Sequence, residues 1–397
     1  MNKFLKYILK GSCVLSLIGF GMTMWSCSDE PGDSPFIKSP AKSTVLVYAI
    51  ATNSLSGNLV SDKNEMLKAA QEINLNDNNV LVFETKYKRL SDGTTASDKN
   101  LLKLVPTSQG YDWEIVKSFN DDVDPLNPSR ISEVVNYVTD KFKSNSYGLV
   151  FWSHSTGSQP YTYATKASDP MAYSFGQDLT VSNDEFQQIN VDDLANALPD
   201  HLFNYIWFDS CYMSNIETIY EFRNKCNTFV GYPTEVLEYG LPYDIVLPYM
   251  VGEKPDLGYA AELFYNYYAN SIATIAVVDM KQVENFAEDC SKIFKQDTDV
   301  NTSGFIKYTR YTTGPFYDLG DYAKAMAQQS DTELSDEAWK EILDKVVVYK
   351  AATRRDFANN VIDPERYSGI SAHVFNFDLD NTSENYYKNL SWFTRVF

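Results

Sequence analysis

Apolar positions come in short, nearly continuous runs from Thr44 onward, separated by longer stretches in which they recur with a helical period. The runs cover 45–51, 80–83, 148–152, 204–208, 228–231 and 272–278. Strands that are apolar on consecutive positions are covered on both faces, so these runs predict a mostly parallel sheet between two helical layers. The intervening periodic segments predict helices over 63–74, 129–143, 191–198, 215–224 and 257–268. Pro128 and Ser129 suit the opening of the second, an early-turn proline beside a polar cap. Residues 94–119 alternate apolar and polar and predict a hairpin at a sheet edge. After 301 the pattern loosens to helices at 319–328 and 336–351 and a last strand at 369–375. The expected class is therefore α/β, a body over 44–300 followed by a smaller α+β part over 301–397.

The first 26 residues follow a different rule. Lys3, Lys6 and Lys10 precede an apolar stretch from Val14 to Trp25, which is too short for a stable membrane span and reads as an export signal. It resembles a bacterial lipoprotein signal, which implies lipidation of Cys27, and Ser28-Asp29-Glu30 resembles the surface-export signal of Bacteroidetes lipoproteins. Residues 27–43, rich in Pro, Ser and Gly, would form a flexible tether. The implied location is the cell envelope, at the outer membrane or cell surface, with the membrane as a partner through the lipid.

The chain has 397 residues, 44% hydrophobic and 22% charged, which describes a folded protein and excludes a disordered one. Its formal charge of -19, more negative once the three leader lysines leave, repels phosphate backbones and excludes nucleic acid as a partner. The 28 tyrosines and 6 tryptophans fall mostly inside the predicted elements, where packing explains them better than sugar stacking.

Of five cysteines, Cys13 lies in the leader and Cys27 at its end, leaving Cys211, Cys226 and Cys290. An odd number fits neither a disulfide framework nor a closely spaced zinc site, so one working thiol is expected. The three histidines are His154, His201 and His373. Working groups of open α/β sheets collect beyond the carboxyl ends of strands. The run 148–152 leads through Ser153 into His154, and the run 204–208 leads into Asp209-Ser210-Cys211. An imidazole near a thiol favours the thiolate and suffices for acyl transfer. The competing view makes Cys211 a buried small hydrophobe and His154 an ordinary loop residue. His201, His373, Cys226 and Cys290 read as packing or surface residues.

Phe208-Asp209-Ser210-Cys211-Tyr212-Met213 with Glu217, and Leu149-Val150-Phe151-Trp152-Ser153-His154, resemble the clostripain family of cysteine endopeptidases, relatives of caspases, gingipains and legumains. Further matches are 44–48, Thr234-Glu235, 239–243, 318–321 and 369–371, so the resemblance covers nearly everything after the tether. It implies a caspase-like fold over 44–300 with 301–397 as a C-terminal subdomain, and hydrolysis of protein or peptide substrates after Arg or Lys. Cys211 would be the nucleophile, His154 the general acid, and the backbone N–H groups of Cys211 and Ser155 the oxyanion donors. Asp209, two residues before the thiol, would form the floor of a pocket for a guanidinium or ammonium; its competing role is a helix cap. Some members are cut internally, and Lys166 lies in a loop-like insertion suited to self-cleavage. No cofactor is needed for the chemistry. Calcium is required by some members, and Asn120-Asp121-Asp122 with Asp124 offers oxygens, though no metal ligands are assigned.

Ser155 departs from the glycine usual after the histidine. A backbone angle natural for glycine would cost serine of order 1 kcal/mol or more. That departure favours an alternative, a homologue with impaired catalysis acting as a peptide- or protein-binding lipoprotein.

Overall fold

The computed structural model describes residues 39–91, 93, 95–160, 174–180, 188–296, 300–308, 316–377 and 381–397. Eleven strands are present among them: β1 Ala41–Ala49, β2 Asn78–Arg89, β3 Thr95–Thr107, β4 Gly110–Phe119, β5 Ser144–Trp152 and β6 Phe203–Asp209, then β7 Cys226–Gly231, β8 Thr274–Asp279, β9 Phe316–Asp318, β10 Val347–Ala352 and β11 Ser371–His373. Nine form one sheet in the order β10-β8-β7-β6-β5-β1-β2-β3-β4, and β9 pairs with β11. The five central strands, β2, β1, β5, β6 and β7, run parallel. Antiparallel strands close both edges, including the β3–β4 hairpin that the alternation at 94–119 predicts.

Alternate side chains of the central strands feed two cores, as the period of two requires. On β1, Leu46 and Tyr48 enter one core while Val45, Val47 and Ala49 enter the other. Helices Pro128–Lys141, Val191–Asn196, Ile216–Glu221 and Val283–Ile293 cover the first face, and Ser56–Ala69, Tyr243–Met250 and Leu257–Tyr268 the second. Each large aliphatic or aromatic side chain so buried contributes about 1.5–3 kcal/mol. This explains why the parallel strands read as unbroken apolar runs.

Two expectations are corrected. The helix predicted over 336–351 stops at Leu343, and Val347–Ala352 forms the edge strand β10 against β8. The β-branched trio Val346, Val347 and Val348 suits a pleated edge better than a helix, and pairing with β8 decides it. Nor do residues 301–397 form a subdomain of their own: Pro40–Phe397 is one compact unit. The physical reason is hydrogen bonding across the expected boundary. β10 belongs to the main sheet, and the Ser371 N–H donates to the Ser214 carbonyl at 2.9 Å.

Candidate active site

Four adjacent parallel strands point their carboxyl ends at one hollow of about 430 Å³. Ser54 follows β1, His154 follows β5, Asp209 ends β6 with Cys211 two residues on, and Val236 follows β7. All of them line the hollow. The sheet order turns back at β1, between β2 and β5, the crevice where ligands of open α/β sheets bind. Register explains the pairing of histidine and cysteine. Trp152 lies opposite Asp209 on neighbouring parallel strands, so two residues further His154 and Cys211 emerge side by side.

Cys211 is half-buried and carries no disulfide. Its Sγ sits between the backbone groups of Val236, accepting from the N–H at 3.4 Å and facing the carbonyl at 3.8 Å. The chain then turns sharply, with Tyr212 in the left-handed region at φ 61°. That geometry is held by the Tyr212 N–H donating to Thr234 O at 2.9 Å and by Asn215 Nδ2 donating to Tyr212 O at 2.7 Å. Strain of this kind, worth about 1–3 kcal/mol, persists only where surrounding bonds enforce it. Asn215, not Asp209, caps the following helix, through the Thr218 N–H, which disposes of the capping role for Asp209.

The His154 imidazole Nε2 and Ser54 Oγ lie 2.8 Å apart. Burial depresses its pKa below the ordinary imidazole value, favouring the neutral ring. Ser155 is not in the left-handed region. The strain expected from replacing glycine is therefore absent, and the positive φ falls instead on Gly157, at 73°. A Cβ there would lie 2.7 Å from both Asn215 Nδ2 and Tyr212 O, so glycine is required by space as well as by angle. The Ser155 hydroxyl donates to the Cys211 carbonyl, a tie between the histidine and cysteine loops that glycine could not make. The bridge to Phe175 uses the His154 carbonyl and the Thr156 N–H and not the Ser155 N–H.

Asp209 is 4% exposed. Its Oδ2 accepts from the Tyr243 hydroxyl at 3.1 Å and the Leu241 N–H at 3.2 Å. Its Oδ1 is buried with no hydrogen-bond partner among the described residues. Desolvation pushes the carboxyl up to about 7, against those two donors. Gly240, at φ 57°, passes so close that a Cβ would stand 2.9 Å from Oδ2. Behind it Asp62 Oδ2 accepts from Trp152 Nε1 at 2.8 Å, and burial, with the Asp209 charge next, raises Asp62 to about 9. Glu235 and Glu238 also line the hollow, and among the described residues no Lys or Arg does.

Of the residues expected from the sequence, His154, Asp209 and Cys211 line one hollow and Ser155 is tied to the Cys211 carbonyl; Ser54, Asp62, Val236, Gly240 and Tyr243 were not expected there. Ser54 was within reach of the strand-end argument, and Gly240 and Tyr243 sit inside a stretch singled out only for resemblance. Cys226 and Cys290 are buried, with thiols pushed up by desolvation. His373 is buried against Glu384 at 3.0 Å and stacked on Tyr387. Lys166 and Cys27 lie outside the described residues.

In the acidic loop 120–124 some of the oxygens are already engaged by cationic side chains. Arg130 binds the Asp121 carboxylate, and Lys99 Nζ takes the Asp121 and Val123 carbonyls at 2.7 and 2.9 Å. Among the described residues no His, Cys, Asp and Glu group could hold a metal.

The family model for the clostripain family, Peptidase C11, matches residues 47–395. The chain belongs to the clostripain family. It is a cysteine peptidase with the caspase-like α/β fold. Among solved structures, a secreted C11 cysteine protease from Bacteroides thetaiotaomicron, in complex with an irreversible peptide inhibitor, is similar at TM-score 0.73 and 24% identity. The match covers 90% of this chain and 99% of that one. An inactive zymogen C11 protease from Parabacteroides distasonis is similar at TM-score 0.71 and 26% identity, with 90% and 99% covered. Among curated proteins, none matches this clostripain-family chain.

Proposed function

We propose that this peptidase cleaves peptide bonds after arginine or lysine through a Cys211–His154 dyad. The observation that carries the specificity is the Asp209 Oδ1, buried beside the nucleophile with no partner among the described residues, in a hollow that none of their basic side chains lines. An ionised carboxylate in that state is costly until a guanidinium or ammonium pairs with it, so a basic side chain gains what an apolar one cannot. His154, kept neutral by burial, takes the Sγ proton, and the sulfur attacks the carbonyl carbon. The oxyanion meets the N–H groups of Cys211 and Ser155. Collapse breaks the C–N bond, the amine leaves with the proton from His154, and water hydrolyses the thioester.

The reading includes anchoring at the cell envelope through lipid on Cys27 and self-cleavage after Lys166. Among the described residues no helix is long and apolar enough to cross a membrane. The reason to suspect impaired catalysis was strain at Ser155, and its backbone angle gives none.

Chromogenic peptides ending in Arg, Lys or Leu test this. Turnover is expected with Arg and Lys alone, falling about a thousandfold or more in Cys211→Ala. Hydrolysis that ignores Cys211, or that accepts Leu as readily, overturns it.

A further inference from the structure

Two aromatic side chains stand exposed at the mouth of the same hollow: Tyr239 at 63% and Phe357 at 48%. Single exposed apolar residues are ordinary. These two differ because the backbone holds them there. Tyr239 precedes Gly240, whose left-handed turn is fixed over Asp209. Phe357 sits on a narrow hairpin over 353–362 that begins where β10 ends. At its root the Thr353 N–H donates to Ala273 O at 2.8 Å, and the Ile362 N–H to Arg354 O at 2.9 Å.

Nearer the tip Arg355 bridges Val361, and the Asp356 N–H donates to Asn360 O at 3.1 Å. The buried Asp356 carboxylate accepts from the Asn360 N–H and side-chain amide, both at 2.7 Å. Asn359 takes the left-handed angle that closes the turn. A hairpin braced this tightly does not fold Phe357 back into the core, so the ring remains at the rim. Val236 and Leu237, half-buried in the loop beside Cys211, and Leu55 extend the apolar surface around the mouth.

We infer that Tyr239 and Phe357 form a shelf for an apolar substrate side chain one or two residues from the scissile bond, so that the preferred substrates pair a basic residue with a hydrophobic neighbour. This rests on the proposed cleavage after Arg or Lys and refines it. The occupant is a side chain of the peptide being cut, because the shelf is continuous with the cavity that holds the thiol. The carboxylates in that cavity take the charged residue and leave the aromatics to its neighbour. Covering two rings with aliphatic surface removes them from water without demanding hydrogen bonds, and such pockets discriminate about ten- to two-hundredfold.

The test uses paired peptides, each with Arg at the cleavage point and Leu, Phe, Ser or Asp at the neighbouring positions. In the wild type, kcat/KM for Leu or Phe should exceed that for Ser about tenfold. Phe357→Ser should cut this ratio to about two, whereas Phe357→Leu retains it. Calorimetric binding to Cys211→Ala separates recognition from chemistry. There the apolar peptide should bind about tenfold tighter than its Ser counterpart, and adding Phe357→Ser should remove the difference. An equal ratio in wild type and Phe357→Ser, or no apolar preference in binding, overturns the shelf. A binding preference with no turnover overturns the cleavage reading and leaves the shelf standing.

Discussion

Two buried aspartates end strands in this molecule, and they are provided for in opposite ways. Asp318 closes β9 and is saturated: Oδ2 accepts from the Tyr308 hydroxyl at 2.6 Å and the Ser368 N–H and hydroxyl at 2.8 Å, while Oδ1 accepts from the Gly320 N–H at 2.8 Å. Asp209 closes β6 with two donors on one oxygen and, among the described residues, none on the other. Burial raises both carboxyls. Asp318 spends its acceptors on the fold. Asp209 keeps one in reserve beside an opening, which is what a receptor for a cation needs.

The sharpest way to break the comparison is to neutralise each in turn. Asp209→Asn should lower kcat/KM for Arg and Lys peptides about a hundred- to a thousandfold, the cost of losing a buried ion pair with the substrate. Its urea midpoint should not fall. Asp318→Asn should do the reverse, costing about 2–4 kcal/mol of stability by unfolding in urea while the folded fraction keeps its specificity. If Asp209→Asn unfolds as readily as Asp318→Asn, the two sites are alike and the distinction fails.

A gentler probe is pH. The Asp209 carboxyl titrates at about 7 in the empty site, and only its ionised form attracts a cation. kcat/KM for basic peptides should therefore fall as pH drops below about 7, and the fall should vanish in Asp209→Asn. The stability consequence has the opposite sense. The unfolded chain ionises this group from about pH 4 upward, whereas the folded one resists until about 7, so its burial penalty grows across that window and persists above it. Asp209→Asn should thus raise the melting temperature at pH 8 and leave it unmoved at pH 4.

Smallest of all, Tyr243→Phe removes one of the two donors on Asp209 Oδ2. The acid limb should move to higher pH, because that hydroxyl favours the ionised form, with about a tenfold loss of kcat/KM at neutral pH. An unmoved limb would show that Leu241 alone holds the carboxylate.

The parallel core of the sheet was legible because a strand covered on both faces must be apolar at nearly every position. The site was legible where it sits in line with those strands, at His154, Asp209 and Cys211. What escaped came from elsewhere in the chain. Asp62 reaches the site from the helix Ser56–Ala69, Tyr243 from a loop and helix after β7, and Phe357 from a hairpin beyond residue 350. No local pattern announces that such segments meet. The strand β10 escaped because 336–351 reads as one helical period, and only its neighbour β8 selects the extended form. The expectation for Ser155 failed more instructively. The need for glycine was real, and it lay two residues later at Gly157.

That glycine packs flush against Asn215 and the Tyr212 carbonyl, and Ser155 tethers to the Cys211 carbonyl, so the His154 and Cys211 side chains are mounted on one interlocked frame. Their spacing is set by this main-chain frame. Deleting either side chain should leave the other where it stands, which makes the alanine-substituted enzyme a faithful trap for fishing out its natural targets.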